Sequence, residues 1–225
     1  FKQKTAYEIG VRLVGSEMCI RDRYLASKDF VVISVNYRLG IGYGYEFHNP
    51  IDGGTRGASE YKDVKAAGLW LKDQNYIDED RIYVYGGSYG GYLTAMALGR
   101  DSQLFSGGVD IHGVHDRTLY GYLNTINYEK APDYELARKT AWESSPIADV
   151  NTWESPVLII HADDDRNVYF KHSTDLVQRL RNKKVYMETM VIVDDTHHFM
   201  MFKNQMKVNK STADFLSRLA RGEIN

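Results

Sequence analysis

"RIYVYGGSYGG" occupies residues 81–91. An apolar run gives way within one residue to glycines, and a single serine, Ser88, is set among them. A strand that turns sharply into a helix forces its corner residue into an unusual backbone conformation. Side chains nearby would collide with strand and helix, so glycine is expected two residues before and two after the corner: Gly86-Gly87-Ser88-Tyr89-Gly90. At that corner the hydroxyl of Ser88 is lifted out at the C-terminal end of the sheet. A helix starting at Tyr89 aims its N-terminal amides, and their partial positive charge, at whatever Ser88 attacks. The G-x-S-x-G pattern alone is moderately specific. Its context, an apolar strand before and a helix after, is that of a nucleophile elbow.

Outward from the elbow, strand and helix patterns alternate. "FVVISVNY" (30–37) is a β-branched run of strand length. Residues 59–74 place Tyr61, Val64, Ala67, Gly68 and Leu71 on one helical stripe, with Ser59 as the expected N-cap. Further strands are read at 81–86, 105–113, 155–162 and 184–193, and helices at 89–100, 170–182 and 204–221. The strands are nearly all apolar, as burial on both faces demands. The fold class is therefore α/β, a mostly parallel sheet with helices on both faces. Residues 114–154 break the rhythm with Tyr120, Tyr122, Tyr128, Tyr134, Trp142 and Trp153 in a polar context. They read as a helical excursion over the sheet edge where substrate would lie.

A serine hydroxyl is a poor nucleophile near neutrality. It needs a histidine base held in the right tautomer by a carboxylate. In this architecture the order along the chain is serine, aspartate, histidine, each past the end of a later strand. After "PVLIIHA" come Asp163, Asp164 and Asp165, and after "METMVIV" come His197 and His198. Order and spacing admit any of these as partners. The chemistry needs no cofactor. A second cluster, Asp110, His112, His115 and Asp116 in "DIHGVHD", matches no common metal-site spacing, so no metal is expected.

The composition, 43% hydrophobic and 26% charged, is ordinary for a soluble globular protein. A net charge of −2 over 225 residues offers no global field for nucleic acid or an acidic membrane surface. No apolar run reaches transmembrane length. The single cysteine, Cys19, excludes an internal disulfide. That fits a reducing cytoplasm, and many periplasmic or secreted enzymes as well.

From 24 to 221 the chain resembles the catalytic domain of the prolyl oligopeptidase family, most nearly its dipeptidyl aminopeptidase and acylaminoacyl-peptidase branches. The resemblance rests on "NYRLGIGYG" (36–44), "GGSYGG" (86–91), "GGVDIHGVHD" (107–116), "SPVLIIHADDDRNV" (155–168) and "DDTHHF" (194–199). It implies an α/β-hydrolase fold and a serine peptidase working on short peptides through an acyl-enzyme. It selects Ser88, Asp165 and His197 as the triad over Asp164 and His198. It implies that the Tyr89 amide serves the oxyanion hole and that its ring walls the pocket for the residue before the scissile bond. Val114, Tyr120, Asn167 and Val168 fall at pocket positions. Arg117 stands where relatives often carry an aromatic residue, which leaves pocket size and specificity open. A homodimer is open on the same grounds. Two other readings remain: a carboxylesterase-type hydrolase, and a catalytically impaired fragment or binding domain.

The first 23 residues lack a clear helical stripe and resemble translated adapter read-through, so they are expected to be a non-native segment before a catalytic domain at 24–225. The resemblance also implies a β-propeller before the hydrolase, and a strand between 30–37 and 81–86 whose following loop brings a second oxyanion donor. Neither is found in the sequence, so an N-terminally truncated domain is expected. "YEIGVRLV" (7–14) is read as filling the slot of that strand, with Ser16 capping a helix toward Ser27.

Overall fold

The computed structural model describes residues 16–119 and 128–224. Four strands form one parallel sheet in sequence order: β1 (Tyr83–Gly87), β2 (Gly107–Ile111), β3 (Val157–Ala162) and β4 (Met187–Ile192). Parallel neighbours require crossovers, and helices supply them. The longer helices are α1 (Ser16–Ala26), α2 (Glu60–Lys72), α3 (Tyr89–Arg100), α4 (Tyr134–Glu143), α5 (Lys171–Lys183) and α6 (Phe202–Ala220).

Two cores follow from the period-two pleat. Val157 and Ile159 point into one, with Val64 of α2, Leu93 to Leu98 of α3 and Leu176 and Leu180 of α5. Val109, Ile111, Leu158 and Ile160 point into the other, with Leu25 of α1 and Val208, Phe215 and Leu216 of α6. Helix α3 is buried from Gly91 to Gly99, so a sequence rich in Ala, Leu and Met suits it on both propensity and packing. The stripe read on α2 is real: Tyr61, Val64 and Gly68 are buried.

The register aligns the C-terminal ends of all four strands. Gly87 lies opposite Ile111, Ile111 opposite Ile160, and Ala162 opposite Ile192. Whatever follows each strand therefore emerges on one rim.

Two sequence expectations need correction. Residues 30–37 form no strand ladder among the described residues, because a strand exists only by pairing and β1 lies across a cleft of about 820 Å³ lined from both sides. Ser59 stands at the N-cap of α2, but its hydroxyl makes no capping bond and is buried without a partner among the described residues. The loop before α2 is anchored instead by Arg38, whose backbone N–H and guanidinium both donate to Asp63 at 2.8–3.1 Å. The excursion at 114–154 contains 3₁₀ turns at Arg117–Leu119, Tyr128–Lys130 and Pro146–Thr152 around α4. Helix α1 crosses the expected boundary at residue 23, and two of its residues bond to the body. Arg21 Nε donates to Asn209 at 2.7 Å, and Asp22 accepts from the Tyr85 hydroxyl at 2.6 Å. The proposed strand at 7–14 lies outside the described residues. No described helix is long and apolar enough to cross a membrane.

Candidate active site

The elbow forms where it is expected. Ser88 sits between β1 and α3 with φ 56° and ψ −115°, a left-handed conformation that costs an L-residue energy and persists only where surroundings impose it. Its N–H donates to the Ile111 carbonyl of β2 at 2.9 Å, and its own carbonyl accepts from Tyr92 N–H at 2.9 Å. The glycine requirement is narrower than the symmetric expectation. A Cβ on Gly86 would lie 2.5 Å from the Gly90 backbone, which no rotamer can relieve. A Cβ on Gly90 meets nothing within 4 Å, so space at Gly90 itself is not the constraint. Gly91 is a second tight position, where a Cβ would reach 2.6 Å from Asp110 Oδ1 and 2.7 Å from Gly113 Cα. Tyr89 opens α3, so its N–H has no intrahelical acceptor.

Past β3, the turn carries three aspartates with different fates. Asp163 and Asp164 are exposed, and Asp164 pairs with Arg166 at 3.1 Å. Asp165 is buried. Its Oδ1 accepts the N–H groups of Asn167 and Val168, both at 2.9 Å, and its Oδ2 accepts from His197 Nδ1 at 2.6 Å. Burial pushes the Asp165 carboxyl upward, but these hydrogen bonds, that of His197 foremost, outweigh it and hold it below its ordinary range. Past β4, Asp195 braces the tight turn by accepting from Thr196 N–H, Met200 N–H and the Asn204 side chain at 2.7–2.8 Å. That turn buries His197 and leaves His198 exposed. Geometry thus separates Asp165 and His197 from their neighbours.

A residue weighed in the sequence only as a metal ligand links the two halves of the site. His112 directly follows β2, and its backbone is also left-handed, with φ 43°. Its Nε2 lies 3.1 Å from where a Cβ of Gly87 would stand, beside Ser88. On its other side its ring meets that of His197, with centroids 4.1 Å apart and planes tilted 35°. It also packs on Phe199 at 5.1 Å. His112 therefore packs between His197 and the elbow. Burial, and then His197, pushes His112 down to about 3, so it is neutral at working pH. The sequence signal that could have found it is position: it is the first residue past a strand whose neighbours also end at the rim.

His112, Asp165 and His197 offer ligand atoms within 4.8 Å of one another. Two of these atoms, His197 Nδ1 and Asp165 Oδ2, are already joined by a 2.6 Å hydrogen bond, so the pair is engaged with itself rather than open to an ion. Asp110 and His115 of the second sequence cluster form a buried pair of their own, bonded to each other and to α5.

No hydrogen bond joins Ser88 Oγ to His197 among the described residues. Of the expected pocket residues, Val114 and Val168 are buried at the rim, Tyr89 is half-buried, Asn167 is exposed, and Tyr120 lies outside the described residues. The Tyr89 hydroxyl donates to fully buried Glu60, which also accepts the Gly54 N–H. Burial, reinforced by that bond, pushes the Tyr89 phenol well above its ordinary value.

A parallel sheet with a strained serine at a strand–helix corner, and a carboxylate–imidazole pair past two later strands, defines an α/β-hydrolase. Comparison with known proteins is more specific. A model of the prolyl oligopeptidase family matches residues 19–223, and the chain belongs to that family. It is 28% identical over 211 residues to dipeptidyl aminopeptidase BIII of Pseudoxanthomonas mexicana, covering 89% of this chain and 30% of that protein. It is 33% identical to the mouse protein named inactive dipeptidyl peptidase 10, covering 82% of this chain and 24% of that protein. The crystal structure of Porphyromonas gingivalis dipeptidyl peptidase 4 superposes with a TM-score of 0.77 at 26% identity, over 87% of this chain and 27% of that one. The chain thus spans less than a third of the length of these relatives.

Proposed function

We propose that this chain is the catalytic unit of a serine peptidase that cleaves short peptides, in the manner of a dipeptidyl or acylaminoacyl peptidase. The observation that carries the reading is the buried 2.6 Å bond between Asp165 and His197, held beside the strained Ser88 corner by His112. Ser88 Oγ attacks the peptide carbonyl while His197 Nε2 takes its proton. Asp165 accepts from His197 Nδ1–H, fixes the tautomer and stabilises the imidazolium. The Tyr89 N–H, at the positive end of α3, receives the developing oxyanion. His197 returns the proton to the leaving amine. Water, activated by the same imidazole, then releases the acyl group. The Tyr89 ring walls the pocket for the residue before the scissile bond, and Val114, Asn167 and Val168 stand at pocket positions of the family.

A binding-only reading draws support from one observation, the missing hydrogen bond between Ser88 Oγ and His197, and from family membership of a protein named inactive. Unliganded catalytic hydrogen bonds are often long and tighten on substrate. Hydrolysis of prolyl and alanyl dipeptide anilides, compared with p-nitrophenyl acetate, decides among the readings. Anilide turnover that Ser88→Ala abolishes supports a peptidase. Ester turnover alone makes the protein an esterase, and no turnover of either leaves the binding-only reading standing.

A further inference from the structure

Arg117 begins the 3₁₀ turn Arg117–Leu119, and its backbone N–H is pinned by Ser145 Oγ at 2.8 Å. Its guanidinium carbon lies 5.6 Å from the centre of the Tyr89 ring and 5.2 Å from that of Tyr92. Tyr89 is the residue after the nucleophile, so this charge stands one side chain away from the reacting centre. Its place along the ring is defined as well. A Cβ on Gly54 would lie 3.4 Å from Arg117 Nη2 and 3.8 Å from the Tyr89 hydroxyl, which puts the guanidinium at the phenolic end.

Among the described residues that charge has no paired anion: Arg117 Nε is buried without a hydrogen-bond partner, and no carboxylate forms an ion pair with Arg117. Glu60 is near, but its oxygens accept from Gly54 N–H and the Tyr89 hydroxyl and do not form an ion pair with Arg117. Two aromatic faces recover part of what desolvation costs a cation, but a half-buried guanidinium without a paired anion leaves its strongest interaction unmade. A planar fork of donors is matched by a carboxylate, which it can bind through two parallel hydrogen bonds.

We propose that Arg117 makes this site selective for peptides with an acidic residue before the scissile bond. The side chain of that residue leaves the backbone one bond from the acylated carbonyl and runs along the Tyr89 ring, bringing its carboxylate to the guanidinium. This rests on the peptidase reading for which bond is cut, but the selectivity can be measured without cleavage.

The test is calorimetric titration of paired peptides, with free and with acetylated N-termini, into Ser88→Ala protein. The two members of a pair differ only in glutamate or glutamine at the position before the bond that would be cut. The glutamate peptide is expected to bind about tenfold tighter or more, the scale of a charge-assisted hydrogen bond in a partly buried site. Adding Arg117→Met is expected to erase that difference, and Arg117→Lys to keep only part of it. Should the methionine variant not fold, Arg117→Gln carries the same comparison. Equal binding of the two peptides, or a preference that survives loss of the guanidinium, overturns the proposal. Because the nucleophile is absent from this assay, such a result concerns the pocket alone, and anilide turnover by the parent protein tests the peptidase reading separately.

Discussion

Among the described residues, Asp165–His197 and Asp110–His115 are aspartate–histidine pairs built from the same side chains in different surroundings, with His161 Nε2 a further neighbour 3.2 Å from Asp165 Oδ2. At the rim, His197 Nδ1 bonds to Asp165, and the other nitrogen has no hydrogen-bond partner among the described residues. In the interior, His115 Nε2 faces Asp110 while Nδ1 faces the His172 carbonyl at 3.0 Å. The rim imidazole keeps 8% of its side chain exposed and the interior one none. A base must have a nitrogen left to take a proton, and His197 has one where His115 has none. The interior pair instead ties the end of β2 to α5, since the backbone N–H groups of His115 and Asp116 also donate to His172 Nδ1 at 3.2 and 3.3 Å. On the proposed peptidase reading, chemistry and structure are divided by how many ring nitrogens are committed, not by residue type.

Exchanging the carboxylates is the largest test of that division. Asp165→Asn is expected to lower kcat about 10⁴-fold, through the wrong imidazole tautomer, with little loss of stability. Asp110→Asn is expected to do the reverse. It leaves kcat near the parental value and costs about 3–5 kcal/mol of stability, the scale for breaking a buried pair. Steady-state kinetics and denaturant melts of both variants read the contrast. Equal kinetic defects would erase it.

His112 sharpens the account at the rim. Its ring supports one face of His197 and touches the elbow at Gly87, so it acts as a positioning residue. His112→Ala is expected to lower kcat about 10- to 100-fold with KM little changed, since a small displacement of a catalytic group has effects of that size. His112→Phe keeps a flat ring against His197 and is expected to recover most of the loss. A pure packing role would lower the melting temperature in both variants without separating kcat from KM.

The smallest expected effect is a pH dependence of stability. Burial disfavours charge on His115, but Asp110 and the bond to the His172 carbonyl outweigh it and raise the folded value above 6.5. The stabilisation is therefore fully present below about 6.5 and is lost as pH rises through the folded value. The parent's advantage over His115→Gln in denaturant midpoint is expected to shrink with rising pH. His112 and His172, both pushed down to about 3 chiefly by burial, act in the opposite sense; His172 is lowered next by His115 itself, so the difference reads the joined His115–His172 pair, with His112 common to both proteins.

Much of this was legible in the sequence because it is local. Glycines around Ser88 forecast the corner, and apolar runs ending in Asp165 and His197 forecast the rim. Helix α3 runs over 89–100 as its composition indicates. What escaped depends on contacts distant along the chain. Residues 30–37 have a strand's composition, but a ladder needs a neighbour that the run itself cannot specify. Ser59 has the right type for a cap, yet its hydroxyl is buried away from the N–H groups it could have served. His112 and His115 look alike within "DIHGVHD", and only the fold sends one to the rim beside His197 and the other into the interior.

The most direct measurement is the rate at which a fluorophosphonate probe labels Ser88 in the parent, His197→Gln and His115→Gln proteins, each confirmed folded by its melting transition. The account predicts rapid labelling of the parent and of His115→Gln, and labelling at least 100-fold slower in His197→Gln, at the low end of what a positioned base supplies. Labelling unaffected by loss of the rim imidazole, or equally impaired by loss of the interior one, would contradict it.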